Sequence, residues 1–361
     1  MIVQKQTSRR EFVSGSLALV AGALSPVASS LAAQGPGDWT DSRADAGIDR
    51  AAIQRVLDDA RSVPALRSIL VVKDGALVGE QYYGGATASG LQGVNSVTKS
   101  VASMLVGIAI QQGRIKGLSE TVATLLPSAA SKAPGAAALS ITLEQILNDT
   151  SGLAYDFQVD QHALDTAEDP IAFALGLPVD PKKVGRWAYN DAAISLLSPI
   201  LAQAQGMPID QLAQRDLFRP LGIERVEAAR DKAGNFMSYR GLRLRARDLA
   251  KIAWTMANDG RWGDTQIVPK DWVRTSTSLH VPATWSATPV QNTGYGYLWF
   301  TGSLNGRPIA WAWGYGAQFA VVVPSLRLAV TTTAANPHPR DVVAQNNAVM
   351  AVVAQIVAVA V

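Results

Sequence analysis

The spacing of apolar residues predicts a helix followed by a β-hairpin near the start of the main part of the chain. Over residues 49–61, apolar side chains recur at helical spacing. Two strand-like runs follow at 66–72 and 76–83, with Asp74-Gly75 between them. An Asp-Gly pair between two such runs is a strong signal for a tight hairpin, so we expect these two strands to pair.

Further along the chain the pattern becomes helical and then returns to strands. After a loop over 84–95, residues 101–110 are apolar on nearly every side, which predicts a fully buried helix that begins near Ser96. From about 115 to 245 the pattern is mostly helical with long loops. Strands are then predicted over 295–300, 308–313, 318–323 and 326–332, with a tight connection at Pro324-Ser325, and a final helix over about 340–360.

Strands from both ends of the chain therefore flank a helical middle. The predicted fold class is α/β (α+β): an antiparallel sheet flanked by the terminal helices, with an inserted, mostly α-helical region. We assign the α/β part to about 46–115 and 246–361 and the helical part to about 116–245, and we expect a pocket where the two parts meet. Polar residues, among them Gln345 and Asn346, interrupt the final helix and favour a packed amphipathic helix over a membrane span.

Composition narrows the functional classes. The chain has 361 residues, of which 48% are hydrophobic and 17% charged, as is typical of globular proteins. Its net charge of +3 comes mainly from the N-terminal leader, and acidic and basic residues are mixed elsewhere, so nucleic acid is not an expected partner. The absence of cysteine excludes disulfides, thiol nucleophiles and a lipid-modified cysteine.

The leader has the pattern of a twin-arginine signal peptide. The pair Arg9-Arg10 precedes an apolar run over 13–24, and Ser30-Leu31-Ala32 supplies small residues for cleavage. The apolar run is shorter than the roughly 20 residues that span a bilayer. We therefore predict a signal peptide over 1–32, a linker over 33–45, export of the precursor by the twin-arginine machinery to the periplasm or the medium, and no stable membrane anchor after cleavage.

Ser96 and Lys99 are the first candidates for chemistry. Residues three apart share one face of a helix, so the Lys99 amine can reach the Ser96 hydroxyl. An apolar environment lowers the pKa of a lysine, and a neutral lysine can act as a base. The positive end of the helix dipole also favours an oxyanion at Ser96. One Ser-x-x-Lys is expected by chance in a chain of this length, so the motif depends on its context.

Other common hydrolytic sites are disfavoured. No Gly-x-Ser-x-Gly motif occurs, and His162, His280 and His338 lie in no recognisable motif, which argues against both a serine–histidine–aspartate site and a zinc site. Tyr189 precedes a helical run and is a better second base, because a nearby ammonium such as that of Lys99 stabilises a phenolate. A tyrosine in that place is more often a packing residue.

Several motifs occur in a specific order. They are Asn95-Ser96-Val97-Thr98-Lys99-Ser100 ahead of the buried helix, the segment 148–153, Tyr189-Asn190-Asp191, and the segments 241–250, 258–262 and 294–299. Together they resemble the penicillin-recognising serine hydrolases, closest to the class C β-lactamase-like group of esterases and 6-aminohexanoate-dimer (nylon-oligomer) hydrolases. The resemblance spans roughly residues 46–360. It implies a β-lactamase/transpeptidase-like fold, with Ser96 as the acylated nucleophile, Lys99 as its partner base and Tyr189 as the tyrosine of a Tyr-x-Asn motif.

Two departures from the family pattern bear on the substrate. Asp191 stands where asparagine is usual, and a carboxylate there would hold the Lys99 ammonium charged more firmly. The Lys-Thr-Gly strand of the lactamases is absent, and its place is taken by residues 311–318, which resemble the Gly-rich strand of nylon-oligomer hydrolases. By that likeness, the backbone N–H groups of Ser96 and Tyr315 form the oxyanion hole. The missing lysine normally meets the carboxylate of a penicillin, so esters or amides are favoured as substrates.

The resemblance also suggests which residues support the site or line its pocket. They are Asp191, Tyr155, Asp156, Trp313, Gly314, Gly316 and Gln318. The predicted function is that of an exported serine hydrolase that cleaves a small-molecule ester or amide through a Ser96 acyl-enzyme, with no metal or organic cofactor. Two alternatives remain: a D-Ala-D-Ala carboxypeptidase or β-lactamase of the same fold, and a non-catalytic binding protein that retained the fold.

Overall fold

Eight antiparallel strands form the main sheet, and five short strands form two small sheets. The computed structural model of the chain describes Trp39 and residues 47–360, so the predicted signal peptide and, apart from Trp39, the predicted linker lie outside the described residues. In chain order the strands are β1 (Leu66–Lys73), β2 (Ala76–Tyr82), β3 (Leu91–Asn95), β4 (Glu227–Ala228), β5 (Leu242–Arg245), β6 (Arg261–Trp262), β7 (Thr265–Gln266), β8 (Val281–Pro282), β9 (Gln291–Tyr295), β10 (Phe300–Leu304), β11 (Arg307–Gly314), β12 (Gln318–Val323) and β13 (Leu328–Ala334).

The order of strands in the main sheet is β2-β1-β13-β12-β11-β10-β9-β8, so the N-terminal hairpin pairs with the last strand of the chain. The predicted hairpin is confirmed: Asp74 and Gly75 both adopt positive φ angles, of 50° and 84°, which suit the twist of a two-residue turn. The small sheets are β3-β5-β4 and β6-β7. The first of these anchors the strand that leads into Ser96.

Helices surround the main sheet. They are α1 (Arg50–Asp59), α2 (Val97–Gln111), α3 (Val122–Leu125), α4 (Pro127–Lys132), α5 (Leu143–Leu147), α6 (Phe157–Thr166), α7 (Pro170–Gly176), α8 (Asp191–Ser195), α9 (Leu197–Gln205), α10 (Ile209–Ala213), α11 (Ala246–Ala257), α12 (Lys270–Ser276) and α13 (Val342–Val359). Helices α1 and α13 pack together and contact β2 and β13, while α2 and α11 pack on the central strands. Every residue of β12 is buried, which requires that both faces of the sheet are covered.

The predicted architecture is confirmed, with two local corrections. The predicted strand over 295–300 is wrong, because β9 ends at Tyr295 and β10 begins at Phe300. Between them Leu298 adopts a φ of 60°, and its amide donates to the carbonyl of Leu147 at 2.8 Å instead of to a neighbouring strand. The second correction concerns the stretch predicted as helical over 116–245, which ends in β4 and β5.

Helix α2 carries the candidate nucleophile and is buried along almost its whole length, as its apolar sequence predicts. It packs on β11, β12 and α9. Gly107 allows α12 to approach closely, because a Cβ at this position would lie 2.2 Å from the ring of Trp272. Further along, the Ser100 hydroxyl donates to the carbonyl of Leu298 at 2.6 Å. These contacts hold the helix rigidly beneath the cavity described below.

The C-terminal helix is apolar enough to be compared with a membrane span. The segment Pro339–Val359 is long and apolar enough to cross a membrane, with a mean hydropathy of 1.7, although 44% of its most apolar stretch is buried. The helices Asp191–Gln205 and Ile209–Phe218, which meet at a bend of 74°, satisfy the same criteria of length and hydropathy when they are taken together. In the structure Val349, Val353 and Ile356 are fully buried. The hydrophobicity of α13 is thus used at least in part for packing against the rest of the protein.

Candidate active site

Ser96 lies at the junction of β3 and α2, where the chain turns sharply. Asn95 adopts a left-handed conformation with a φ of 49°, and Ser96 follows at the N-cap position of the helix. The Ser96 side chain makes no capping hydrogen bond. Instead, the Thr98 hydroxyl donates to the carbonyl of Asn95 at 2.7 Å, so the turn is held by a neighbour and the Ser96 hydroxyl is left for other contacts.

Lys99 is buried directly behind Ser96, with only 2% of its side chain exposed. Its Nζ lies 3.0 Å from Ser96 Oγ, 2.6 Å from the carbonyl oxygen of Tyr239 and 2.8 Å from Asp191 Oδ1. A neutral amine has two N–H groups and one lone pair. It can therefore donate to Asp191 and Tyr239 while its lone pair faces the Ser96 hydroxyl, which is the arrangement that a base requires.

Burial and charge act on Lys99 in opposite directions. Desolvation lowers the pKa of Lys99, and the carboxylate of Asp191 opposes this effect. Burial likewise raises the pKa of Asp191, and Lys99 opposes that shift. Desolvation is the larger influence on both groups, so the pKa of Lys99 lies below its ordinary value. The predicted contact between Asp191 and Lys99 is present, but the carboxylate does not overcome the effect of burial.

A second buried carboxyl, which the sequence prediction did not include among the site residues, lies near this pair. Asp149 is 1% exposed, and burial raises its pKa well above the ordinary value, opposed by the charge of Lys99. Tyr295 contacts it and is itself fully buried, which raises the pKa of that phenol as well. The raised pKa favours the neutral acid, so Asp149 adds less negative charge around Lys99 than an exposed carboxylate would.

Tyr189 completes the cluster around the serine. Its hydroxyl lies close enough to interact with the Ser96 side chain, and its ring centroid lies 4.6 Å from Lys99 Nζ. Asn190 positions the segment, because its side chain caps α8 by accepting from the amide of Ala193 at 2.9 Å. Burial raises the pKa of Tyr189 well above the ordinary value. The phenol is therefore protonated at neutral pH and can relay a proton only as part of the cluster.

The turn between β11 and β12 carries Tyr315 and faces the same cavity. A Cβ on Gly314 would lie 2.3 Å from the carbonyl oxygen of Val94, so glycine is needed for the close approach of this strand to the Ser96 turn. Asn95 joins the two turns: its Nδ2 donates to the carbonyl of Tyr315 and to Asn336 Oδ1, each at 2.8 Å.

Gln318 was predicted as a substrate-binding or supporting residue, and its position fits only the supporting role. It is fully buried, and its amide nitrogen donates to the carbonyls of Tyr315, Gly316 and Ala334 at 2.9–3.2 Å. Its amide oxygen accepts from the amide of Ala334 at 2.9 Å. The side chain therefore shapes the turn, and Gly316, with a φ of 77°, supplies the left-handed conformation within it.

An apolar cavity of about 360 Å³ opens in front of Ser96. The described residues that line it are Ser96, Phe157, Gln158, Tyr189, Thr284, Trp285, Ser286, Phe300, Trp313, Tyr315, Val342, Val343 and Asn346. Of the predicted residues, Ser96, Tyr189, Trp313 and Tyr315 are therefore brought together here. Lys99 and Asp191 lie buried behind the serine, and Gly314, Gly316 and Gln318 form the turn beneath Tyr315.

Tyr155 does not line this cavity, contrary to its predicted place. Its hydroxyl donates to Gln161 Oε1 at 2.8 Å, and it faces an adjoining groove of about 840 Å³. Asp156 also borders that groove, and its side chain caps α6 by accepting from the amide of Gln158 at 2.8 Å. The two residues lie at the N-terminal end of α6 and border the groove, not the cavity in front of Ser96.

Sequence analysis missed the walls contributed by loops and by the last helix. Trp285 lies between β8 and β9 in a segment with no predicted element, and Phe157 begins α6. Asn346 was noted only as a polar interruption of the final helix. It is 6% exposed, its Oδ1 has no hydrogen-bond partner within the described part of the chain, and it faces the cavity. The polar residue in an otherwise apolar helix was the signal in the sequence that could have predicted a polar residue on the cavity wall.

The candidate metal ligands do not assemble in the described part of the chain. Among residues 47–360 no group of three or more histidine, aspartate or glutamate side chains has metal-binding geometry. None of the three histidines lines the cavity. His280 is stacked on Tyr297 with ring centroids 4.1 Å apart, and His338 accepts from the amide of Arg340 at 3.4 Å.

A family model described as beta-lactamase matches residues 53–355, which is most of the chain. The chain belongs to the beta-lactamase family. It is accordingly a serine hydrolase with the β-lactamase/transpeptidase-like fold. In this structure Ser96, Lys99 and Tyr189 lie together in one site, at the junction of the sheet and the inserted helices.

Solved structures share the fold at low sequence identity. A candidate 6-aminohexanoate-dimer hydrolase from Bacillus anthracis superposes with a TM-score of 0.69 at 17% identity, covering 85% of this chain and 81% of the other. A candidate beta-lactamase from Bacteroides dorei DSM 17855 gives a TM-score of 0.70 at 17% identity, with coverage of 87% and 99%. Both comparisons establish the fold.

A curated relative matches over a shorter stretch. The candidate penicillin-binding protein PbpX of Bacillus subtilis strain 168 is 25% identical over 177 residues, which cover 47% of this chain and 43% of the relative. The chain thus matches less than half of that protein's length.

Asn95→Ala tests whether the Asn95 side chain, which tethers the turn at Ser96 to the turn that carries Tyr315, positions the site. The change removes both side-chain hydrogen bonds and places alanine at a positive φ, which together should lower the free energy of unfolding by about 1–3 kcal/mol. The turn that carries Tyr315 would also shift, so kcat for p-nitrophenyl acetate should fall on the order of 10–100-fold.

Asn305→Ala is the matched control, because Asn305 also has a positive φ, of 51°, and donates to the carbonyl of Ala354 at 2.7 Å, far from the site. Urea denaturation followed by tryptophan fluorescence should show a loss of stability for both variants. Equal kcat values for the two variants would show that the Asn95 tether does not position the site.

Proposed function

We propose that this protein is an exported serine hydrolase that cleaves a small-molecule ester or amide through an acyl-enzyme on Ser96. The observation that carries the proposal is the position of the Ser96 hydroxyl. It lies 3.0 Å from Lys99 Nζ, close to the Tyr189 hydroxyl, and borders an open cavity. A serine with a neighbouring base, a second hydroxyl that can relay its proton and access to substrate is the arrangement that nucleophilic catalysis requires.

In the acylation step, Ser96 Oγ bonds to the carbonyl carbon of the substrate while its proton passes to Lys99, with Tyr189 as the relay. The carbonyl electron pair moves onto oxygen, and the amides of Ser96 and Tyr315 are the proposed donors to this oxyanion. When the carbonyl re-forms, the bond to the leaving group breaks. The proton held by the cluster then passes to that group, which departs as an alcohol or an amine.

In the deacylation step, water attacks the acyl carbon and gives one proton to the same Lys99 and Tyr189 cluster. The bond between Ser96 Oγ and the acyl carbon breaks, and Ser96 recovers the proton as the carboxylic acid leaves. Water and the ester or amide substrate are the only reactants consumed. This sequence uses one cluster in both directions, as microscopic reversibility requires, and involves no organic cofactor.

The chemistry of the cavity favours this function over the first alternative, a penicillin-directed enzyme. None of the cavity-lining residues in the described chain is charged at neutral pH, so the wall holds no cation to neutralise a substrate carboxylate. One structural relative is a candidate 6-aminohexanoate-dimer hydrolase, which also favours amide cleavage. The second alternative, a non-catalytic binding protein, is disfavoured by the intact Ser96, Lys99 and Tyr189 cluster.

Ser96→Ala tests the proposal directly. Removal of the nucleophile should reduce kcat for p-nitrophenyl esters or short amides at least about 10³-fold and abolish labelling by a fluorophosphonate probe. Ser103→Ala is the control, because Ser103 lies on the same helix, is buried, and its Oγ has no hydrogen-bond partner. The substrate panel consists of p-nitrophenyl esters, short amides and nitrocefin. Slow turnover of nitrocefin, together with stable labelling of Ser96 by penicillin, would instead favour the penicillin-directed alternative. Equal hydrolysis of the whole panel by Ser96→Ala and wild type would refute the mechanism.

The pH dependence of activity tests the role of Asp191. The neutral form of Lys99 is the proposed base, so the acid limb of kcat/KM follows its pKa. Asp191 raises the pKa of Lys99, and its replacement in Asp191→Asn should therefore move the acid limb to lower pH. Asp216→Asn, which removes a carboxylate that pairs with Arg215 outside the site, should leave the limb in place. A limb that stays in place or moves to higher pH in Asp191→Asn would contradict this assignment.

The export proposal rests on the leader sequence, whose residues lie outside the described part of the chain. The proposed partner of the precursor is the twin-arginine machinery, which requires the arginine pair. Replacing both Arg9 and Arg10 by lysine should retain the precursor in the cytoplasm of a host that has this pathway. Cell fractionation with immunoblotting gives the readout, and normal processing of the double variant would exclude this route.

A further inference from the structure

The walls of the cavity have a composition that defines a substrate class. Six of the lining residues are aromatic and two more are valines, while the polar ones are neutral. Such a surface gains binding free energy from apolar groups and penalises a buried charge. The group that enters the cavity is therefore expected to be uncharged and largely apolar.

Trp285 sets the boundary of this cavity. Its ring stacks on Tyr189 with centroids 4.6 Å apart at an interplanar angle of 29°, and it meets Phe157 edge-on at 5.7 Å and Trp313 at 6.3 Å. Trp285 also lines the adjoining groove of about 840 Å³, together with Tyr189 and Phe157. The indole therefore forms part of the wall that the cavity and the larger groove share.

The surroundings of the cavity extend the same apolar surface to the protein exterior. Val343, which lines the cavity, is 63% exposed, and Val159, in the first turn of α6 beside Gln158, is 72% exposed. These are two of only four large hydrophobic side chains that are exposed in the described residues. Val343 therefore brings apolar surface to the outer part of the cavity wall.

We propose that the enzyme acts on uncharged esters or amides whose acyl group is short or aromatic, and that Trp285 limits the length of that group. The inference rests on the proposed function. The acyl group stays attached to Ser96 through both half-reactions, so it is assigned to the cavity in front of Ser96. A longer chain would run into the indole, which separates it from the groove beyond.

The test is the acyl-chain profile of kcat/KM for p-nitrophenyl esters from acetate to decanoate. Wild type should prefer short chains and phenylacetate. In Trp285→Ala, the cavity joins the groove, and each further methylene that is buried adds about fourfold to binding. The ratio of kcat/KM for octanoate to that for acetate should therefore rise at least tenfold. Trp285→Phe should resemble wild type, because the ring that blocks the passage is retained.

Trp285 also contacts Tyr189, so its replacement could lower kcat for every substrate. Such a general loss cancels in the ratio of kcat/KM for octanoate to that for acetate, which is why the ratio is the readout. Trp262→Ala is the matched control: Trp262 packs edge-on against Trp39 at 5.1 Å, away from the cavity. A second comparison uses the monoester of glutaric acid against the valerate ester of similar length. The carboxylate should lower kcat/KM at least tenfold, because no cationic side chain among the described residues lines the cavity.

The outcomes separate this inference from the function on which it rests. Absence of fluorophosphonate labelling and of hydrolysis in wild type would overturn the proposed function itself. Labelling at Ser96 with an unchanged octanoate-to-acetate ratio in Trp285→Ala, in a variant whose circular dichroism matches wild type, would overturn only the role of Trp285. Equal rates for the glutarate and valerate esters would overturn the restriction to uncharged acyl groups.

Discussion

The burial of the Lys99 amine is the constraint on which the rest of the site depends. A buried amine must find hydrogen-bond partners within the protein, because water no longer supplies them. Here they come from three parts of the chain: Ser96 one turn earlier, the carbonyl of Tyr239, and Asp191 at the start of α8. These groups meet only when the inserted helices dock against α2. The site and the junction between the sheet and the helical region therefore form together, and neither can be altered without the other.

The carboxylate at position 191 changes the electrostatics of a familiar motif without removing its base. Asp191 favours the ammonium form of Lys99, while burial favours the amine, and burial is the larger influence. Burial also favours the neutral acid of Asp149, so less negative charge accumulates around the lysine than two ionised carboxylates would supply. The balance depends on how completely water is excluded, which connects the reactivity of Ser96 to the packing of the aromatic residues around Tyr189.

Reactivity and selectivity are carried by different elements. The 314–318 turn brings Tyr315 to the cavity wall, and the side-chain amides of Asn95 and Gln318 hold the backbone of this turn in place. The walls that select a substrate come instead from the loop that contains Trp285, from the start of α6 and from α13. Because these walls lie outside the nucleophile cluster, they can differ between family members while the chemistry is retained.

The sequence by itself determined the features that depend on local geometry. Residues three apart on a helix are neighbours whatever the surrounding fold, so Ser96 and Lys99 could be paired in advance, and Asp74-Gly75 specified a hairpin for the same reason. Only the tertiary structure decided which distant segments meet. It made residues 296–299 a connection between two strands, used Gln318 inside a turn, placed Tyr155 in a neighbouring groove and stacked Trp285 on Tyr189. Such contacts depend on long-range packing, and no local pattern in the chain encodes the partner that a loop residue will find.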